Sequence, residues 1–279
     1  MEKRVYLPQS SEGFASLIMG VPKGFWEGRE LAWRLFLRDL KVSYTKSVLG
    51  VVWVFLPPLA TAGIWIFLNS RRVVAIQNPP MNYGAFAVCG TMIWSVFAEA
   101  IVKPIQRYQG AMSLMSKLNF PRESISLAAV YDLAFGFMVK MVILVALLWI
   151  LGYPPTLFFI PALAVAFLLS LVGFSFGLLL SPLGLLYQDV GRGLSVALPF
   201  VMYLVPVIYP LRHADHLSLL QKLNPITPFH ERARSLMGGY EFHLNKELII
   251  ISVATLLLLF MGQLIIRISL PVIVERSGS

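Results

Sequence analysis

Long apolar runs separated by short charged stretches dominate the chain. No charged residue occurs between Lys46 and Arg71, and the stretch from Leu49 to Leu68 is almost wholly apolar. Comparable runs extend from Gly84 to Val102, Ser124 to Leu151, Leu157 to Leu180, Leu194 to Leu211 and Leu248 to Ile266. The hydrocarbon core of a bilayer is about 30 Å thick and takes about 20 helical residues to cross. The pattern therefore predicts six transmembrane helices over 49–68, 84–102, 124–151, 157–180, 194–211 and 248–266. Within the charge-free stretch from Met141 to Gln188, Gly152-Tyr153-Pro154-Pro155 supplies the turn that separates the third span from the fourth.

Residues outside these runs carry a different pattern. In the N-terminal segment 1–48, an interface helix is predicted over 26–44. Glu27, Glu30, Arg34, Arg38 and Lys41 gather on one side of it, with Ala32, Trp33, Phe36, Leu40 and Tyr44 on the other. The loop 103–123 is expected to hold a short helix over Ile105 to Ser116, ended by Pro121. It either docks into a soluble partner or simply joins two spans. The segment 210–247 is punctuated by Pro225, Pro228 and Gly238-Gly239 and is too apolar for a free loop, so short re-entrant helices are expected there. A tail over 269–279 follows the last span.

Composition narrows the class. Of 279 residues, 57% are hydrophobic and 13% charged, against about 25% charged in soluble domains, and mean hydropathy is +0.74. The formal charge of +9 does not point to nucleic acid, because the basic residues fall between spans. With both termini inside, fifteen basic residues lie on the cytoplasmic side and seven on the other, as the positive-inside rule favours. Cys89 is alone, and the first 20 residues, with Glu2, Lys3, Arg4 and Glu12, contain no signal-like apolar region.

Few residues carry catalytic chemistry. The chain has no G-x-x-x-x-G-K followed by Ser or Thr, hence no P-loop phosphate cradle of its own. His213, His216, His230 and His243 all fall in the outer segment and read as surface histidines, not metal ligands. Glu99, Asp132 and Lys140 lie within spans, where ionisable groups face protein or water. Asp132 and Lys140 are too far apart on one helix to pair, which leaves Glu99 as a partner for either. Aromatics recur in the first, second and fifth spans, including Trp53, Phe55, Trp65, Trp94, Phe97, Phe200 and Tyr203. They form either interfacial belts or a surface on which sugar rings pack. Gly173 and Gly177 suggest close helix packing, and Pro57-Pro58, Pro199 and Pro206 should bend their helices.

Four segments together resemble the membrane subunit of the ABC-2 type polysaccharide exporters, the permeases of O-antigen, capsule and teichoic acid. They are RDLKVSYTKSVLGVVWVFLPP (38–58), LMSKLNFPRESISLAAVYD (114–132), LYQDVGRGLSVALPFVMYLVPVIYP (186–210) and LNPITPFHERARSLM (223–237). The resemblance implies an all-α integral membrane protein with an ABC-2 transmembrane domain over 49–268, of the type V exporter kind. It implies an inner-membrane permease, not catalytic alone, that pairs with a second copy and with two ATP-binding subunits. Those subunits would hold ATP and Mg, and this chain no cofactor. The implied cargo is lipid-linked polysaccharide, O-antigen foremost, moving along a path flanked by the aromatics named above. Arg34, Arg38, Gln106, Arg107, Tyr108, Met112, Leu114 and Asp189 would face the ATPase. Gln188-Asp189-Val190 resembles the family's cytoplasmic turn, with Gln188 where a basic residue is common. The rival readings are an ABC-2 permease for a non-glycan lipid or drug, and a membrane enzyme acting on lipid-linked sugars.

Overall fold

The computed structural model describes residues 14–45, 52–73, 81–118, 120–210, 224–239 and 246–278. These fold into α1 (Phe14–Thr45), α2 (Val52–Ser70), α3 (Tyr83–Met115), α4 (Glu123–Ile150), α5 (Phe159–Leu186) and α6 (Asp189–Val201). A 3-10 turn over Met202–Leu204 follows, then α7 (Ile226–Met237) and α8 (Lys246–Gly278).

Among the described residues, four helices are long and apolar enough to cross a membrane: α3, α4, α5 and the Leu248–Glu275 part of α8. The expectation of six spans is corrected to four. The stretch expected over 49–68 becomes α2, with Pro57 and Pro58 inside it. Its apolar part, 52–68, covers about 25 Å, less than the hydrocarbon thickness. The stretch expected over 194–211 is broken. There α6 ends at Val201 after 13 residues, about 20 Å, and turns occupy 205–208.

Other boundaries shift outward. α1 begins at Phe14, twelve residues before the interface helix expected over 26–44, and it tolerates Pro22 inside. The short helix expected over 105–116 is the end of α3, which continues through Pro104 for 33 residues. That is about 50 Å, so α3 projects well past the hydrocarbon core. The last helix likewise continues to Gly278 through the stretch expected as a tail.

α3 is the hub. In its apolar window 83% of residues are buried, against 28% for α4 and 22% for α8, so α3 is enclosed by protein while the other two present Val142, Leu256 and Leu257 outward. α5 packs most extensively on α3, with α2, α4, α6 and α7 around it. The main core includes Phe86, Met92, Ile93, Leu144, Leu169 and Phe229.

Gly173 and Gly177 explain how α5 comes so close. A Cβ on Gly173 would lie 2.6 Å from the Phe97 carbonyl oxygen, and one on Gly177 would overlap the Ile101 carbonyl and the Pro104 ring. The small residues let two backbones touch. Overpacking of this kind typically costs ~1–3 kcal/mol, so Gly177→Ala is expected to lower the melting temperature in detergent by about 5 °C. A thermal-shift measurement checks this, and an unchanged midpoint would mean that the α3–α5 contact has slack.

Candidate functional site

Two features stand out: a charged seam where α1 meets α3 and α4, and a plug formed by α7.

The seam begins with three glycines of α1. Gly20, Gly24 and Gly28 are spaced by four, so they share one helix face, and a Cβ on them would strike Arg267, Glu123 and Ser124 respectively. This face packs on α4, continuing through the buried Ala32, Leu35 and Phe36 to Leu114 and Tyr131. Trp33 and Tyr131 meet edge to face at 5.5 Å. Met19, Trp26 and Leu37 form an exposed apolar stripe, Trp26 being 71% exposed, and half-exposed Trp33 lies where that stripe borders α4. Lys23, Glu27, Glu30, Arg34, Arg38 and Lys41 lie beside the stripe. α1 thus has a protein face, an apolar face and a charged face, an amphipathic arrangement.

Charges tie the seam together. Arg107 on α3 bridges Asp39 on α1 and Asp132 on α4, the latter at 3.5 Å. Asp39 also accepts from Arg38 at 2.7 Å, and that hydrogen bond raises the Arg38 pKa above its ordinary value. Deeper in, Lys140 of α4 donates to Glu99 of α3 at 2.6 Å and to the Ser95 carbonyl at 3.2 Å. Lys103 holds the other Glu99 oxygen at 3.1 Å. Arg267 of α8 pairs with Glu123 of α4 at 2.9 Å. The three ionisable residues expected within spans are all placed in interhelical ion pairs, which desolvated charges require.

The other residues expected at the ATPase face separate into groups. Arg34 is exposed and pairs with Glu30 at 2.6 Å, and Asp189 is exposed beside Arg192 at 3.7 Å. Gln106 is exposed, whereas Met112 and Leu114 are half-buried. Tyr108 is fully buried. Its hydroxyl shares a 2.6 Å hydrogen bond with Ser126, which donates to Gln263 of α8 at 2.6 Å. Tyr108 clamps α3, α4 and α8 internally and offers nothing to an outside partner.

The aromatics do not form one wall. Trp94 and Phe97 are buried against each other at 5.2 Å, and Trp65 pairs with Tyr203 at 6.1 Å. Trp53 and Phe200 stand exposed elsewhere. The side chain of Phe55 lies outside the described residues.

α7 is the plug. Phe229, His230, Ala233, Arg234, Leu236 and Met237 are all buried, packed on α5 and α3. Beside α7, the chain after α6 presses on α3 at Gly90, where a Cβ would overlap the Val207 carbonyl. Arg234 donates to the Pro206 and Val207 carbonyls at 2.8 and 3.0 Å and lies 3.8 Å over the Phe86 ring. Burial pulls its pKa down to about 10.

His230, read from sequence as a surface histidine, is completely buried. Its Nε2 lies 3.0 Å from the Gly90 carbonyl and therefore carries the proton, since a carbonyl only accepts. Nδ1 has no partner among the described residues. Burial first, then the Arg234 charge, depress its pKa from 6.5 to about 3. The neutral ring is fully compatible with the fold above pH 6.5, and stability falls as acid drives protons onto the unfolded chain between 6.5 and 3. Melting temperature in detergent is expected to drop across that window. His230→Gln, whose amide still donates to Gly90, should flatten the slope, and an equal slope in both proteins would refute the assignment. His213, His216 and His243 lie outside the described residues. Among the described residues no group of three or more His, Cys, Asp or Glu could hold a metal.

An amphipathic helix with an exposed apolar stripe, a long central helix and spanning helices joined by buried ion pairs describe an all-α membrane protein. The profile of the ABC-2 type transporter family matches residues 30–237. The chain belongs to that family. Among its relatives is the O-antigen export system permease protein RfbA of Klebsiella pneumoniae, 29% identical over 214 residues, 76% of this chain and 79% of the relative. The protein of the same name from Myxococcus xanthus is 26% identical over 221 residues, 77% of this chain and 80% of that one. The ABC-2 match includes the second half of α1 and all of α7, so the Asp39–Arg107–Asp132 part of the seam and the plug belong to the matched region, whereas Gly20, Gly24, Gly28 and Arg267 lie outside it. The sequence reading missed the α1 glycines and the buried Arg234-His230 pair. The repeat of Gly at every fourth position was a visible signal for the first, whereas no local signal marks the second.

Proposed function

We propose that this ABC-2 permease exports lipid-linked polysaccharide, O-antigen foremost, outward across the bacterial inner membrane. It does so as a homodimer driven by two separate ATP-binding subunits, with both termini cytoplasmic. The observation that carries the reading is the similarity, over about three quarters of the chain, to proteins named O-antigen export permeases in two bacteria.

The geometry supplies a route for force. α1 lies across the start of α4 and is tied through Asp39, Arg107 and Asp132 to α3. A push by an ATPase on exposed Arg34, Arg38 or the projecting end of α3 would move α1, α3 and α4 together, because separating them would leave buried charges unpaired. ATP and Mg would act on the partner subunit, and this chain would convert the movement into opening of the path. In the native host, deletion of the gene is expected to abolish surface polysaccharide and to accumulate lipid-linked polymer inside. Unchanged surface polysaccharide after deletion would refute the proposal.

A further inference from the structure

Arg122, the residue just before α4, is a half-buried cation without an ion-pair partner among the described residues. Its neighbour Glu123 is already taken. That carboxylate is 6% exposed, pairs with Arg267 of α8 at 2.9 Å, and is closed off on another side by α1, where a Cβ on Gly24 would strike it. Arg122 and Arg267 thus share one acid, which leaves one positive charge in excess where α1, α4 and α8 meet. Arg107, Arg234 and Arg267, also withdrawn from solvent, each have an acid partner. Burial, more than any neighbouring charge, lowers the Arg122 pKa below its ordinary value, the response of a cation held partly out of water with too little negative charge beside it. None of its nitrogens is sealed inside the protein, so the guanidinium is open to a partner from outside.

The position of this junction decides what that partner is. From Leu248 to Ile266 α8 carries no charged residue, a rise of about 27 Å, close to the ~30 Å of hydrocarbon in a bilayer. Arg267 follows directly, which sets Arg267, Glu123 and Arg122 at the edge of the hydrocarbon, the level of phospholipid phosphates. α4 and α8 are also the spanning helices least covered by protein, so this edge faces lipid. Leu118, four residues before Arg122, is exposed there as an apolar side chain. Water would hydrate Arg122 and leave its charge unbalanced. A phosphodiester supplies both the charge and two acceptor oxygens that match the planar fork of a guanidinium. One headgroup of net charge −1 cancels the single excess charge, whereas phosphatidylethanolamine would bring a second cation with it.

We propose that the junction of α1, α4 and α8 binds the headgroup phosphate of an anionic phospholipid, with Arg122 as its main ligand and Arg267 beside it. The bound lipid braces the start of α4 against α8. This site is separate from the cargo path and does not depend on what the permease exports.

Binding is read on the full-length permease, purified in detergent and stripped of lipid. Dioleoylphosphatidylglycerol added to the micelles is expected to raise the melting temperature, while phosphatidylethanolamine or inorganic phosphate at the same concentration leaves it unchanged. Arg122→Gln should weaken the phosphatidylglycerol response about tenfold, and Arg122→Lys should weaken it less. Arg192→Gln, which removes a charge already beside Asp189, should respond as the parent does. An equal shift from phosphatidylethanolamine, an equal shift from inorganic phosphate, or an undiminished response in Arg122→Gln would each overturn the proposal. A second measurement does not need the Gln variant to fold. A photoreactive benzoylphenylalanine replacing Leu118 in the native membrane should form phospholipid adducts. Adducts with an ATP-binding subunit alone would mean that a protein acid answers Arg122, and that outcome, or no adduct at all, would also overturn it.

Discussion

Arg234→Met is expected to be among the most damaging single substitutions in this protein, lowering stability by ~3–5 kcal/mol. Arg234 is 4% exposed, and two of its contacts are main-chain carbonyls, those of Pro206 and Val207. These carbonyls belong to the turns that follow the early end of α6. A carbonyl left buried without a donor costs ~1–3 kcal/mol, and Met supplies no donor for either. The Phe86 face would also lose its cation. Arg234→Lys should fall between, because an ammonium keeps the charge but lacks the planar fork that spans two acceptors. Fluorescence-detected size-exclusion after heating in detergent measures the effect. A Met variant that melts with the parent would show that the plug does not depend on this contact.

The second large effect is expected at Arg107. Arg107→Met removes the one cation shared by Asp39 and Asp132 and leaves two carboxylates facing each other. The Arg107 side chain is 12% exposed and that of Asp132 17%, so solvent screens little of the repulsion at that end. A loss of about 3 kcal/mol is expected, together with loss of export, since α1 is then untied from α3. The diagnostic is rescue. Neutralising both partners, Asp39→Asn with Asp132→Asn, in the Arg107→Met background should restore much of the stability, because the only charge left without its partner is that of Arg38, whose side chain is 57% exposed and solvated. A double-mutant cycle on melting temperature reads this coupling. Additive effects would show that the three charges do not act as one unit.

The sequence was most legible where a single helix face or a single run carries the signal. The apolar runs marked the cores of α3, α4, α5 and α8, and Gly173 and Gly177 marked a close contact before its partner was known. The i, i+4 spacing of charges marked one side of α1. It failed where length alone was read as a span. α6 sits in a run of membrane length, yet it stops after 13 residues, with the turns at 205–208 filling the rest. The irregular backbone survives because α7 supplies donors from another part of the chain.

The functional residues divide along the same line. Sequence placed Glu99, Asp132 and Lys140 within apolar runs, and cost alone required partners for them. Which partners was a tertiary matter: Glu99 takes Lys140 and Lys103, and Asp132 takes Arg107. Tyr108 and Gln106 are two residues apart and were grouped together. Helical geometry turns them about 160° from each other, so one is buried in a hydrogen-bonded clamp while the other is exposed.

By itself, then, the sequence determined the solvent, a bilayer, and the ABC-2 family, because hydrophobic run length and the order of motifs are properties of the chain. Only the tertiary structure decided which runs cross, which charges meet, and that His230 is interior. Those outcomes depend on what each side chain finds opposite it, and the opposite residue is 41 positions away for Lys140 and 140 for His230.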